Sequence, residues 1–173
     1  MQIISTKSLV FAALFIALSI IFTHVFAIQT TFIRIDFGFL AIAICSMMFG
    51  PLIGGTVAAI ADIIGCMIFT PNLYFPGFSL SAFAIGIIYG LFFHNRSISL
   101  VRSFLANIVI LLFVSLAMNT IWLSILYNKA VTVIVYSRLL KCAIMLPGQS
   151  LLVYLLQKRL SSYAFKQPKA ENF

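Results

Sequence analysis

The stretch Pro51-Leu52-Ile53-Gly54-Gly55-Thr56-Val57-Ala58-Ala59-Ile60-Ala61-Asp62-Ile63-Ile64-Gly65-Cys66-Met67-Ile68-Phe69 decides the fold. It is apolar from Leu52 to Phe69 apart from Thr56 and one carboxylate, Asp62. A run of this length spans a hydrocarbon core of about 30 Å as a helix. An Asp at the centre of such a helix costs roughly 2.5–3.5 kcal/mol on insertion scales, so it is kept where it pairs with something or binds something. Asp62 is also the only acidic residue between Asp36 and Glu171. Gly55, Ala58, Ala59, Gly65 and Cys66 lie around it, a small-residue stripe that lets neighbouring helices approach closely.

The rest of the chain has the same character. Its 173 residues are 63% hydrophobic and 8% charged, with a mean hydropathy of +1.17. Soluble domains carry about 25% charged residues. The composition therefore defines an all-α integral membrane protein with one membrane domain over 1–173 and no room for a second, soluble one. The alternating pattern of a barrel is absent. Six spans are expected, at about 8–28, 36–50, 52–69, 77–94, 101–127 and 132–160. The first resembles a signal peptide after Lys7, but its apolar run of about 21 residues exceeds an h-region, so it reads as a retained helix. Gly50-Pro51 breaks the second span from the third, and Thr70 to Pro76 is rich in turn formers. No internal repeat is visible, which argues against an inverted-repeat carrier.

Charge gives the orientation. The net charge is +8, and the basic residues cluster at helix ends, which points to anionic lipid and membrane orientation rather than nucleic acid. Lys7, Arg96, Arg102, Lys158, Arg159, Lys166 and Lys169 fall on one side, and Arg34, Lys129, Arg138 and Lys141 on the other. The positive-inside rule then places both termini in the cytoplasm and the loops 29–35, 70–76 and 128–134 outside. Cys45, Cys66 and Cys142 lie in apolar segments and show no disulfide or metal-ligand spacing.

The candidate chemistry lies toward the outer face. Arg138 and Lys141 are three apart and share a helix face, suited to an anionic group; snorkelling to the interface is the competing reading. Asp62 offers a carboxylate to paired N–H donors, or forms a structural ion pair with Arg34, Arg138 or Lys141. Asn119 adds an amide among these groups. Tyr74, Phe75, Phe78 and Trp122 form either an interfacial belt or a stacking wall for a flat heterocycle. Ala13 and Ala17 make a small-xxx-small pair on the first helix, fit for docking another helix. There is no G-x-x-x-x-G-K-[ST] and no H-E-x-x-H. Gly77-Phe78-Ser79-Leu80 resembles an intramembrane serine protease motif. However, Ser79 lies roughly 22 Å along the fourth span from His94, and His24 is on another helix. No catalytic, cofactor or metal residue is expected.

Several runs together resemble the S-components of energy-coupling-factor vitamin transporters, and among them the folate-specific family. They are Gln29-Thr30-Thr31-Phe32-Ile33-Arg34-Ile35, Phe37-Gly38-Phe39, Phe49-Gly50-Pro51, Ala61-Asp62-Ile63-Ile64-Gly65, Tyr74-Phe75-Pro76-Gly77-Phe78-Ser79-Leu80-Ser81-Ala82 and Asn119-Thr120-Ile121-Trp122-Leu123, with Tyr127-Asn128-Lys129-Ala130 and then Arg138 and Lys141 further on. Thr31 stands where the family pattern has a proline, and Asp36 where it has a small polar residue. The resemblance implies a six-helix S-component bundle in the bacterial plasma membrane. It implies folate capture from outside and docking, through Ala13 and Ala17, on a membrane T-component driven by two cytoplasmic ATPases. In this reading Phe75, Phe78 and Trp122 stack on the pterin, and Tyr74 sits in the lid. Asp62 or Asn119 reads the pterin edge, and Arg34, Arg138 and Lys141 hold the glutamate tail. The alternatives are another flat vitamin (a thiamine precursor, riboflavin or a deazapurine) and a stand-alone carrier.

Overall fold

The computed structural model describes residues 6–26, 28–29, 34–35, 37–69, 75–96, 99–127 and 145–159. Among these, six helical stretches pack together with one short strand pair. The first helix, Thr6–Ile20, runs on through a π-helical turn, Ile21–Val25. Ile28–Gln29 and Arg34–Ile35 then form a two-residue antiparallel ladder, Ile28 opposite Ile35 and Gln29 opposite Arg34. The ladder falls where the sequence suggests only an outer loop. It closes the segment on itself, satisfying backbone groups that a free loop would leave to solvent.

The second helix, Gly38–Phe49, and the third, Pro51–Phe69, are joined by Gly50 alone. Gly50 has φ +90°, a conformation open to glycine and costly for other residues. Pro51 comes next, at the first helical position, where its missing N–H costs nothing. Pro76–Phe93 forms the fourth helix and starts the same way. The fifth is continuous through Leu100–Val109, a π-helical stretch Ile110–Met118, and Asn119–Tyr127. A last helix covers 145–159; the earlier part of the expected sixth span lies outside the described residues.

Among the described residues, three helices, Pro51–Phe69, Pro76–Phe93 and Leu100–Trp122, are long and apolar enough to cross a membrane. Their outward faces are apolar: Leu52, Met67, Val101 and Phe113 are each at least 65% exposed. Such a surface is an aggregation hazard in water and is ordinary against lipid.

The core has two parts that share the second helix. Phe39 and Ala43 pack with Tyr89, Phe93, Ala106, Ile110, Val114 and Val153, while Cys45 packs with Phe15 and Val57. The third and fourth helices touch backbone to backbone. A Cβ at Gly86 would lie 2.6 Å from the Gly55 Cα, and one at Gly90 would lie 2.5 Å from the Pro51 nitrogen.

Away from the third helix, the fourth, fifth and last helices share a buried polar network. Tyr89 donates to Asn107 Oδ1 over 2.8 Å and accepts from Gln149 Nε2 over 3.2 Å. Asn107 Nδ2 donates to the Ser103 carbonyl at 2.9 Å and lies 3.5 Å from Ser150 Oγ. Ser103 Oγ lies 3.3 Å from Gln157 Oε1. Side-chain bonds of this kind glue membrane helices together, at roughly 0.6–2 kcal/mol each.

The π-helical stretch turns the fifth helix. Up to the middle of that stretch, Ser103, Asn107, Ile110 and Val114 are buried at α-helical spacing. Continuing that spacing would bury Ala117 or Met118, and Ile121. Instead Ala117 and Ile121 are exposed and Thr120 is buried. Each i→i+5 closure adds a residue to the turn and rotates the helix beyond it. Asn119 and Thr120 are thereby brought round toward the bundle.

Candidate functional site

The site is assembled on the first two turns of the fourth helix. Phe75 precedes Pro76 in extended conformation and has no side-chain acceptor with which to cap the helix. Ser79 and Ser81 are buried at 7% and 2% exposure. They are two apart, so they point to opposite sides of the helix, and each holds one group from a neighbouring helix.

On one side Ser79 Oγ donates to Asp62 Oδ2 over 2.8 Å. A hydrogen bond to an ionised carboxylate is short and strong and fixes the rotamer of both partners. Asp62 is partly buried and makes further interactions. The small-residue stripe around it serves two neighbours. Gly55 faces Phe83 of the fourth helix, and Gly65 faces the ring of His24. His24 also stacks on Phe69 at 4.8 Å with the planes 7° apart. The π-helical turn of the first helix therefore packs against the third helix one turn beyond Asp62.

On the other side Trp122 Nε1–H donates to Ser81 Oγ over 3.3 Å. Phe75 lies 5.6 Å from the Trp122 ring at a 49° tilt, and 6.1 Å from Phe78, edge to face. These are favoured aromatic geometries. One turn before Trp122, Asn119 Oδ1 is buried with no hydrogen-bond partner among the described residues, and Thr120 Oγ1 is in the same state. A buried acceptor left unmet costs about 1–3 kcal/mol, so each of these oxygens calls for a partner from a ligand, a water or a residue outside the described ones.

The structure thus brings Asp62, Phe75, Phe78 and Trp122 to one end of the fourth helix and puts Asn119 on the adjoining turn. Arg34 pairs with Gln29 through the backbone ladder. Its side chain lies outside the described residues, as do Tyr74, Arg138 and Lys141. Sequence reasoning missed three contributors. Ser79 attracts notice only through its G-x-S-x context, Ser81 only as part of a run, and His24 only as a distant base. Their common signal is a hydroxyl or imidazole within a helix that is otherwise apolar. Ala13 and Ala17 are exposed on the first helix, flanked by Val10, Leu14 and Ile21, also exposed. Phe15 and Ser19 point inward from the opposite face.

The described residues thus form a bundle of apolar, membrane-length helices with a carboxylate, a buried amide oxygen and three aromatics toward one end. The family of ECF transporter substrate-specific components matches residues 7–157. The chain belongs to that family. It is 49% identical over 146 residues to the folate transporter FolT of Clostridium novyi (strain NT), covering 84% of this chain and 85% of that one. It is 28% identical over 171 residues to FolT of Leuconostoc mesenteroides, covering 95% and 92%. A crystal structure of FolT bound with folic acid superposes with a TM-score of 0.84 at 33% identity, over 90% of this chain and 95% of that one.

Proposed function

We propose that this S-component captures folate with high affinity from outside the cell and delivers it inward without chemistry of its own. The observation that carries this reading is the placement of Asp62 and of the Trp122–Phe75–Phe78 aromatics on one helix end. A chain 33% identical, and alike in fold, has been crystallised with folic acid. A pterin is flat, with apolar faces and an edge of donors and acceptors. It calls for stacking and a few aimed polar groups. Asp62 accepts from the 2-amino and ring N–H donors, or shares that edge with Asn119. Phe75, Phe78 and Trp122 stack on the ring, and Tyr74 covers it. Arg34, Arg138 and Lys141 meet the carboxylates of the glutamate tail, for which arginine's forked donors are suited. Competition by riboflavin, a thiamine precursor or a deazapurine against bound folate distinguishes the other flat vitamins.

The protein acts as a multi-pass component of the bacterial plasma membrane, both termini cytoplasmic. It docks on a T-component energised by two cytoplasmic ATPases. The exposed Ala13-x-x-x-Ala17 stripe supports docking through the first helix, because small residues let a partner helix approach closely. Replacing both with leucine is expected to abolish co-purification with the T-component and ATPases while folate binding by the isolated chain stays within about twofold, a change of roughly 0.4 kcal/mol. ATP-independent uptake driven by an ion gradient would instead identify a stand-alone carrier.

A further inference from the structure

The Trp122 indole is held by one face of the fourth helix. Its Nε1–H donates to Ser81 Oγ. A Cβ at Gly77 would lie 2.5 Å from Trp122 Cδ2 and 2.6 Å from Phe75 Cε1. Gly77 and Ser81 are four apart and so present to the same side of the helix. The glycine leaves the space over the ring's fused bond, so one face of the indole lies against the helix, and one turn on, the serine fixes the ring's rotation. Phe75 bounds it from a further side at 5.6 Å.

Nothing larger than glycine therefore fits at position 77 without moving a rigid bicyclic ring or Phe75. The indole also has a single hydrogen-bond donor and no acceptor, and Ser81 takes that donor. Trp122 is left with the π face turned away from Gly77 to offer a ligand.

We infer that Gly77 and Ser81 are positioning residues that seat Trp122 as a fixed wall, so that this wall recognises the face of a planar ring system and not the acceptors on its edge. The inference rests on the reading of Trp122 as part of the ligand site and deepens it. Ring planarity is read by Trp122, and edge polarity is read by other groups. Holding the ring before the ligand arrives lowers the ordering cost of binding.

Trp122 is the sole tryptophan, so its fluorescence reports the seat directly. The test compares the full chain in lipid nanodiscs as wild type, Ser81→Ala, Ser81→Thr and Gly77→Ala. Anisotropy decay is measured without ligand, and affinity is then measured by folate titration. In Ser81→Ala the indole is expected to gain a fast local motion and folate affinity to fall three- to tenfold. Ser81→Thr, which keeps the hydroxyl, retains both properties. Gly77→Ala is expected to shift the emission maximum and lower affinity more than tenfold; should it fail to fold, Ser81→Ala decides alone. An unchanged anisotropy decay in Ser81→Ala overturns the seat. Freed motion with unchanged affinity overturns its role in binding. If wild type binds no folate, the proposed function fails, while the ligand-free decay still decides whether Ser81 seats the ring.

Discussion

Asp62→Ala is expected to weaken folate binding by roughly tenfold to a hundredfold. A hydrogen bond to a charged group is worth about 1.5–3 kcal/mol, and each 1.4 kcal/mol is about a factor of ten in affinity. The Asp62 carboxylate is held by Ser79 at 2.8 Å, so its direction is set before the ligand arrives. The substitution also leaves the buried Ser79 hydroxyl without this acceptor, which lowers stability independently of binding. Asp62→Asn separates the two effects. It keeps an acceptor for Ser79 and removes the charge and the pair of equivalent oxygens. Loss of affinity in both variants, with stability lost mainly in Asp62→Ala, is the expected pattern. Calorimetric titration gives the affinity and thermal unfolding in detergent gives the stability. Normal folate affinity in a destabilised Asp62→Ala would make Asp62 a purely structural ion pair.

The second large effect is expected at Gly86. In an exposed helix, glycine to alanine stabilises by up to about 1 kcal/mol. Here the added methyl would lie 2.6 Å from both the Gly54 carbonyl carbon and the Gly55 Cα. These are backbone atoms of the third helix, which cannot swing aside as a side-chain tip can. Overpacking of this kind costs about 1–3 kcal/mol. The methyl has to push the third and fourth helices apart, and that pair carries the Asp62–Ser79 bond seven residues away, about 10 Å along the helix. Gly86→Ala is therefore expected to lower the unfolding temperature and to weaken folate binding together. Gly148→Ala is the control. It lies in the last helix with nothing within 4 Å of an added Cβ, and should be neutral or mildly stabilising. A neutral Gly86→Ala would mean that the two helices can move apart at little cost.

Much of the fold is legible because proline and glycine punctuate apolar runs. The expected spans 52–69, 77–94 and 101–127 meet helices at Pro51–Phe69, Pro76–Phe93 and Leu100–Tyr127. The expected tight link at Gly50-Pro51 is a single residue with φ +90°. The second span is shorter than expected, Gly38–Phe49 in place of 36–50, because Phe37 leaves helical geometry and its N–H donates instead to the Phe22 carbonyl at 3.3 Å.

The π-helical stretches are not legible. In Ile110-Leu111-Leu112-Phe113-Val114-Ser115-Leu116-Ala117-Met118 nearly every residue is apolar, so no periodicity can reveal a change from 3.6 residues per turn. That stretch nevertheless decides which residues beyond it face the bundle. Asp62 stands out in the sequence because a carboxylate is costly in a membrane. Ser79 and Ser81 do not, because a serine in a membrane helix costs little. Its importance comes from the group that a neighbouring helix places opposite it, and pairing between distant segments is not written in either segment alone.

Folate capture by this chain is tested most directly by folate titration of the purified protein, with Trp122 fluorescence as the signal, absorbance correction and a calorimetric check. Saturable quenching at one equivalent with nanomolar affinity is the expected result. No saturable binding by well-folded protein, at folate concentrations far above that range, would contradict folate capture and leave a substrate-specific component whose ligand is a different molecule.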